Sequence, residues 1–67
     1  MELRQLQHFL ALAELHSFRL AGERVNLTQQ AVSKSIAQLE RRVGCQLFER
    51  DGRNVRLTTV GELLLPH

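Results

Sequence analysis

The 67-residue chain has no tryptophan, no tyrosine, one proline and one cysteine. Each shortage removes a class of function. Cys45 has no partner in its own chain for a disulfide or a cysteine zinc site, and a single cysteine fits a reduced, cytosolic setting. It reads as a small buried hydrophobe after a helix stop. The aromatics are Phe9, Phe18 and Phe48 alone. They are expected in a core, not on a platform for single strands, which interleaves exposed rings with cations. His8, His16 and His67 are scattered without metal-ligand spacing, so they read as surface residues and no metal is expected. The N-terminus carries no apolar run of signal-peptide or membrane-span length. Gly, Pro and Ser form no linker cluster, and no internal repeat is visible. A glycine-rich phosphate loop is missing, and Ser33 and the histidines form no nucleophile–base pair. With so short a chain, an enzyme is not expected, and neither is a cofactor.

What is present fits one small helical domain. A domain of this size buries only about 60% of the surface its unfolded chain exposes. The hydrophobic content of 43% is ordinary for a folded protein. The formal charge of +2 is unevenly spread. From Thr28 to Arg56 there are six cations (Lys34, Arg41, Arg42, Arg50, Arg53 and Arg56) against three acids (Glu40, Glu49 and Asp51). The remainder is net negative. That distribution suits a polyanionic partner for the middle of the chain.

Leu3, Leu6, Leu10 and Ala13 recur at helical spacing, with Phe9 and Leu12 widening the stripe, and predict a first helix over Leu3 to Leu15. Ser17 reads as the N-cap of a second helix that buries Phe18, Ala21 and Val25. Gly22 sits inside it at a propensity cost of up to about 1 kcal/mol, which close approach of a neighbour would explain. Thr28 reads as the N-cap of a third helix running to Val43, with Leu27 and Val32 placed as a hydrophobic staple and Gly44 as the stop. Val32, Ile36, Leu39 and Val43 share one stripe, because roughly 100° per residue places them within an arc of about 60°. The other side carries Gln30, Ser33, Lys34, Ala37, Gln38 and Arg41, with no carboxylate. Arg41 and Arg42 in the last turn suit the helix dipole. After Gly44 the period changes. Leu47 to Arg50, Asp51 to Asn54, and Val55 to Leu57 read as strand, turn and strand. Thr58 or Thr59 then caps a fourth helix, with Thr59 and Glu62 at capping-box spacing. Three helices and a hairpin make a mainly α, winged helix-turn-helix fold. A helix propped on a packed stripe with an amide-and-lysine face outward can read base edges in a DNA major groove.

The chain resembles the N-terminal DNA-binding domain of LysR-type transcriptional regulators. The matching stretches are Met1 to Leu6, Phe9, Ser17-Phe18, Ala21 to Arg24, Thr28-Gln29, Ala31 to Ile36, Leu39-Glu40, Gly44, Leu47 to Arg50 and Leu57 to Gly61. The resemblance implies a domain over residues 1–58, with the helix-turn-helix at about 18–37 and the wing at about 46–57. Residues 59–67 would begin a linker and dimerisation helix. It implies a bacterial, cytoplasmic, nucleoid-associated regulator. The full-length protein would be a homodimer or tetramer on an interrupted inverted repeat, sensing a small-molecule effector through a further domain absent from this sequence. The sequence is expected to be a fragment or excised domain, monomeric or weakly dimeric, with Leu63 to Leu65 as the stub of a dimer contact. Carried over by position, Gln29, Gln30, Ser33 and Lys34 would meet bases and phosphates, and Arg53 at the wing tip the minor groove. Ser17, Phe18 and Thr28 would lie near phosphates at helix N-termini. Arg50 would bind phosphate or be held by a nearby acid. Lys34 stands where the family more often has arginine, Gln30 where it has proline or serine, Leu20 where a basic residue is frequent, and Gly22 where alanine is usual. Lysine meets a phosphate as a point charge but lacks arginine's bidentate fork for guanine.

A rival of a different class is a winged-helix protein–protein interaction module that never touches DNA. The acid-free outward side of the third helix speaks against it, and salt-dependent retention on duplex DNA separates the two.

Overall fold

From the end of α1 to the wing, hydroxyl caps and left-handed residues set each helix boundary. The structure, a computed structural model, describes residues 2–52 and 54–66. Its elements are α1 (Leu3–Leu15), α2 (Phe18–Val25), α3 (Gln29–Val43), β1 (Phe48–Asp51), β2 (Asn54–Leu57) and α4 (Thr59–Leu64). His16 closes α1 in a left-handed conformation, φ 54° and ψ 29°, and its N–H donates to the Leu12 carbonyl. One residue later the Ser17 hydroxyl accepts from the Leu20 N–H at 3.1 Å and opens α2. The chain therefore turns sharply, because one helix's stop adjoins the next helix's start.

The α2–α3 turn follows the same logic. Asn26 is left-handed at φ 63°. Its N–H reaches the Glu23 carbonyl at 3.4 Å, and the Leu27 N–H reaches the Gly22 carbonyl at 2.8 Å. These are the paired reverse bonds of a Schellman stop. They fold the turn down onto α2. A Cβ on Gly22 would lie 2.7 Å from the Leu27 carbonyl oxygen, so the bare backbone permits the close approach expected there. The Thr28 hydroxyl accepts from the Ala31 N–H at 3.0 Å and starts α3. Gly44, at φ 84°, ends it through a bond from its N–H to the Glu40 carbonyl.

The core joins α1, α2 and α3 to the hairpin. Phe9, Leu12, Ala21, Val32, Ile36, Leu39 and Leu47 are at most 3% exposed. Phe9 and Phe48 meet as a tilted pair with ring centroids 5.5 Å apart. Burying each aliphatic side chain of the α3 stripe contributes about 1.5–3 kcal/mol, which exceeds any propensity difference along the helix and sets its rotation. Val43 departs from the expected stripe. It is 39% exposed, since it lies one turn past Leu39 where the chain leaves the core at Gly44. Leu3, at the start of α1, is exposed for the same reason at the other end of that helix. Leu27 is also exposed, so the staple expected with Val32 keeps one member largely in solvent. Cys45 is exposed too, contrary to the buried reading. It directly follows the left-handed Gly44, where the chain has turned off α3.

The hairpin pairs Phe48 with Leu57, Glu49 with Arg56, Arg50 with Val55 and Asp51 with Asn54. Its turn is thus shorter than the four residues expected, with Asp51 and Asn54 serving as the last rung. Leu47, Phe48 and Val55 are buried. Side chains dock this hairpin. The Glu40 carboxylate accepts from the N–H groups of Leu47 at 2.7 Å and Phe48 at 3.3 Å. The Thr58 hydroxyl donates to the Gln46 carbonyl at 2.7 Å and accepts from the Gly61 N–H at 3.1 Å. Thr58, not Thr59, is therefore the cap of α4. Of the terminal leucines, Leu63 is 76% exposed, while Leu64 and Leu65 lean on the core.

Of the histidines read as surface residues, His16 is exposed as expected but carries a hydrogen bond, and His8 departs from the reading. His8 is half-buried, with Nδ1 2.7 Å from the Ser35 hydroxyl of α3. His16 donates from Nδ1 to the Val55 carbonyl at 2.9 Å. His67 lies outside the described residues.

Candidate nucleic-acid interface

The buried stripe of α3 decides what its other side presents. Because Val32, Ile36 and Leu39 face inward, Gln29, Gln30, Lys34 and Gln38 are all exposed. Ser33 and Ala37 are half-buried on the flank toward the wing. Neither Gln30 nor Lys34 is covered by another part of the chain. The ion pairs among the described residues are Arg19–Glu23, Arg24–Glu14 and Arg56–Asp51, all between exposed groups. Lys34, Arg41, Arg42 and Arg50 take part in none of them. These cations stay available to an external anion, whereas surface pairs of the other kind contribute little to stability.

The carboxylates nearest α3 are arranged without crossing its outward face. Glu40 turns toward the start of β1 and is spent on two backbone N–H groups. Glu49 is exposed on β1 and shares with Ser33, Ala37 and Arg50 a groove of 620 Å³ between helix and wing. The acid-free side expected from the sequence therefore ends at that groove.

Arg50 is the hub of the site. Its guanidinium carbon lies 4.5 Å from the centroid of the Phe18 ring. One guanidinium nitrogen makes a long hydrogen bond, 3.4 Å, to the Ser33 hydroxyl. The acid expected as a possible structural partner is replaced by an aromatic face and a hydroxyl. Arginine suits that position, since its flat guanidinium stacks on a ring while keeping other donors free. Ser17, Phe18, Gln29 and Arg50 line a second groove of 280 Å³ that reaches the hairpin residues Gly52 and Asn54. Phe18 itself is 9% exposed, its ring lying under Arg50 at the N-terminus of α2. The two grooves bring together Ser17, Phe18, Gln29, Ser33 and Arg50. Gln30 and Lys34 lie apart, on the open side of α3, and the Thr28 hydroxyl is used by its own helix. Arg53 lies outside the described residues.

Sequence reasoning missed three contributors: Glu40, His16 and the Phe18–Arg50 stack. Only His16 left a signal in the sequence. The residue between the end of a helical stripe and a serine cap must often take positive φ, where histidine is enriched. The other two depend on residues 7 to 32 positions apart meeting in space.

Similar proteins place this geometry. The family described as "Bacterial regulatory helix-turn-helix protein, lysR family" matches residues 3–62. An uncharacterized HTH-type transcriptional regulator from Azotobacter vinelandii is 56% identical over 66 residues, covering 98% of this chain and 46% of the relative. The SDS degradation transcriptional activation protein of a Pseudomonas species is 53% identical over 66 residues, covering 98% of this chain and 22% of the relative. This chain thus spans less than half the length of these curated relatives. Among solved structures, a CbnR_DBD–DNA complex superimposes with a TM-score of 0.92 at 35% identity, covering 97% of this chain and 75% of that one. A BenM_DBD complex with benA site 1 DNA gives a TM-score of 0.88 at 40% identity, covering 94% and 71%. With a match over nearly its full length and the same helices and wing, the chain belongs to the LysR family of bacterial helix-turn-helix regulators and folds as that family's DNA-binding domain.

Proposed function

We propose that this chain binds double-stranded DNA sequence-specifically, with α3 in the major groove and the wing at the adjacent minor groove. The observation that carries the reading is the exposed Gln29, Gln30 and Lys34 on the side of α3 opposite its buried stripe. Glutamine can pair bidentately with adenine, and lysine can meet phosphate or guanine. The N-termini of α2 and α3 offer amides to phosphates beside Ser17 and Thr28. Arg50 approaches phosphate from its seat on Phe18, and Arg53 is the wing's candidate for a minor-groove contact. Phosphate contacts supply affinity, and the α3 face supplies base preference. That similar domains were solved as DNA complexes supports DNA binding.

Residues 1–58 act as the DNA-binding unit and residues 59–67 as the start of a linker helix. In the whole regulator a two-fold pair reads an interrupted inverted repeat in the bacterial cytoplasm, since half-sites mirror the symmetry of a dimer. A separate domain carries effector control. The 67-residue chain by itself is monomeric or weakly dimeric. Its role is binding, not catalysis.

The test is selection of bound sequences from a random duplex pool, followed by titration across salt concentrations. Lys34→Ala weakens binding and lowers the salt slope by about one if Lys34 holds a phosphate. An unchanged slope removes that contact. Retention on duplex DNA that ignores salt would favour a protein-binding module instead.

A further inference from the structure

We infer that His16 is a positioning residue for the wing: its imidazole fixes the distance between the hairpin and the recognition helix α3, and with it the reach of the wing along DNA. The inference rests on the DNA-binding reading above. Its starting point is a contact that helix capping does not require. His16 already ends α1 through its backbone, whose N–H bonds to the Leu12 carbonyl at 2.9 Å. The side chain does something else. Nδ1 lies 2.9 Å from the carbonyl of Val55, 39 residues away in β2. A carbonyl only accepts, so Nδ1 carries the proton.

The placement of that bond gives it leverage. A two-stranded hairpin leaves alternate carbonyls of each strand pointing outward with no ladder partner. His16 fills the one at Val55. Across the ladder, Val55 pairs with Arg50. Arg50 in turn rests on Phe18 of α2 and touches Ser33 of α3. The same rung is therefore held from both sides: by α1 through His16, and by α2 and α3 through Arg50. Beyond it only the Asp51–Asn54 rung separates the clamp from the tip, and both of those residues are exposed. The angle at which the tip leaves the body is set at this rung. Loss of the His16 bond frees the β2 side while leaving the α3 reading face untouched.

The backbone conformation makes a clean test available. His16 has φ 54°, a conformation that glycine adopts without strain, so His16→Gly removes the imidazole at no steric cost. Asparagine tolerates the same conformation and restores an N–H donor. Duplexes selected with the wild-type chain are footprinted with hydroxyl radicals. His16→Gly keeps the central protection, loses protection in the flank where the wing lies, and binds about five- to tenfold more weakly. His16→Asn recovers the flank. Equal flank protection by His16→Gly overturns the inference. So does an even loss across centre and flank that follows a fall in melting temperature, since that marks a merely structural role. Nitrogen-15 shifts of the free chain give a readout independent of DNA, and an unprotonated Nδ1 on His16 at neutral pH also overturns it. A wild-type chain that protects no duplex at all overturns the function reading itself, and this inference with it.

Discussion

The helix-turn-helix and the wing are held in place by different kinds of contact. Between Ser17 and Gly44 the chain is shaped by neighbours in sequence. Ser17 caps through Leu20, Thr28 through Ala31, and Asn26 and Gly44 stop helices with bonds three to five residues long. The wing is placed by partners seven to 39 residues away in the chain. Glu40 holds the start of β1, Thr58 ties its approach to α4, His16 holds β2, and Arg50 leans on Phe18. Local caps make a recognition helix whose pose survives small changes elsewhere. Remote side chains make a wing whose pose is adjustable one contact at a time. A regulator domain built this way can keep its major-groove reading while its minor-groove reach varies.

The largest effect expected from breaking this contrast comes from Glu40. Glu40→Ala leaves the Leu47 and Phe48 N–H groups without their acceptor in a half-buried place. A charged hydrogen-bond acceptor lost this way costs about 2–3 kcal/mol. Urea denaturation measures the loss, and Glu40→Gln, which keeps one carbonyl oxygen, recovers part of it. Hydrogen exchange should quicken at wing amides ahead of those in α1. If α1 and the wing loosen together, the wing is not a separately held part.

Thr28→Ala comes next and probes the local side of the comparison. Loss of an N-cap costs about 1 kcal/mol. The change should fray the first turn of α3, near Gln29 and Gln30, and leave wing exchange as it was. Wing amides that respond to Thr28→Ala would show that the two regions share one network.

The smallest effect is a pH dependence that sharpens the picture of α1 as the shared support. Burial, and then the charge of Arg4, hold the His8 pKa below its ordinary value of 6.5. Above 6.5 His8 is neutral in both folded and unfolded chains, and its full contribution to stability is present. As pH falls below 6.5 the unfolded chain takes up the proton first, so stability declines through that window. Thermal melts at successive pH values should show this slope in the wild-type chain. It should flatten in His8→Gln, which can still bond to Ser35. A slope unaltered by the substitution would assign the dependence to other groups.

The contrast between regions also explains what could be read without coordinates. The first helix was legible to its ends, because Leu6, Phe9 and Leu12 repeat at helical spacing and nothing local opposes them. Thr28 and Gly44 were legible because capping is chemistry between near neighbours. The outward set on α3 followed from its buried stripe by geometry alone. Where burial depended on what stood opposite, the reading failed. Cys45 and Val43 looked like core members by type and period, yet both are exposed. His8 looked like a surface residue, yet it is half-buried against Ser35 of α3; His16 is exposed as read, but its bond to Val55 could not be foreseen. Arg50 was assigned a carboxylate as its structural alternative and instead rests on a ring, a pairing that depends on α2 meeting β1.

The amino-acid order alone therefore determined the helices, their stops, the hairpin and the polar face of α3, since each rests on torsional preference, capping or periodicity within a few residues. Tertiary structure decided how the wing is hung on the three-helix body and which side chains do the hanging. The physical reason is that a hydrogen bond or ring contact across tens of residues exists only once the hydrophobic core has brought its two halves within reach.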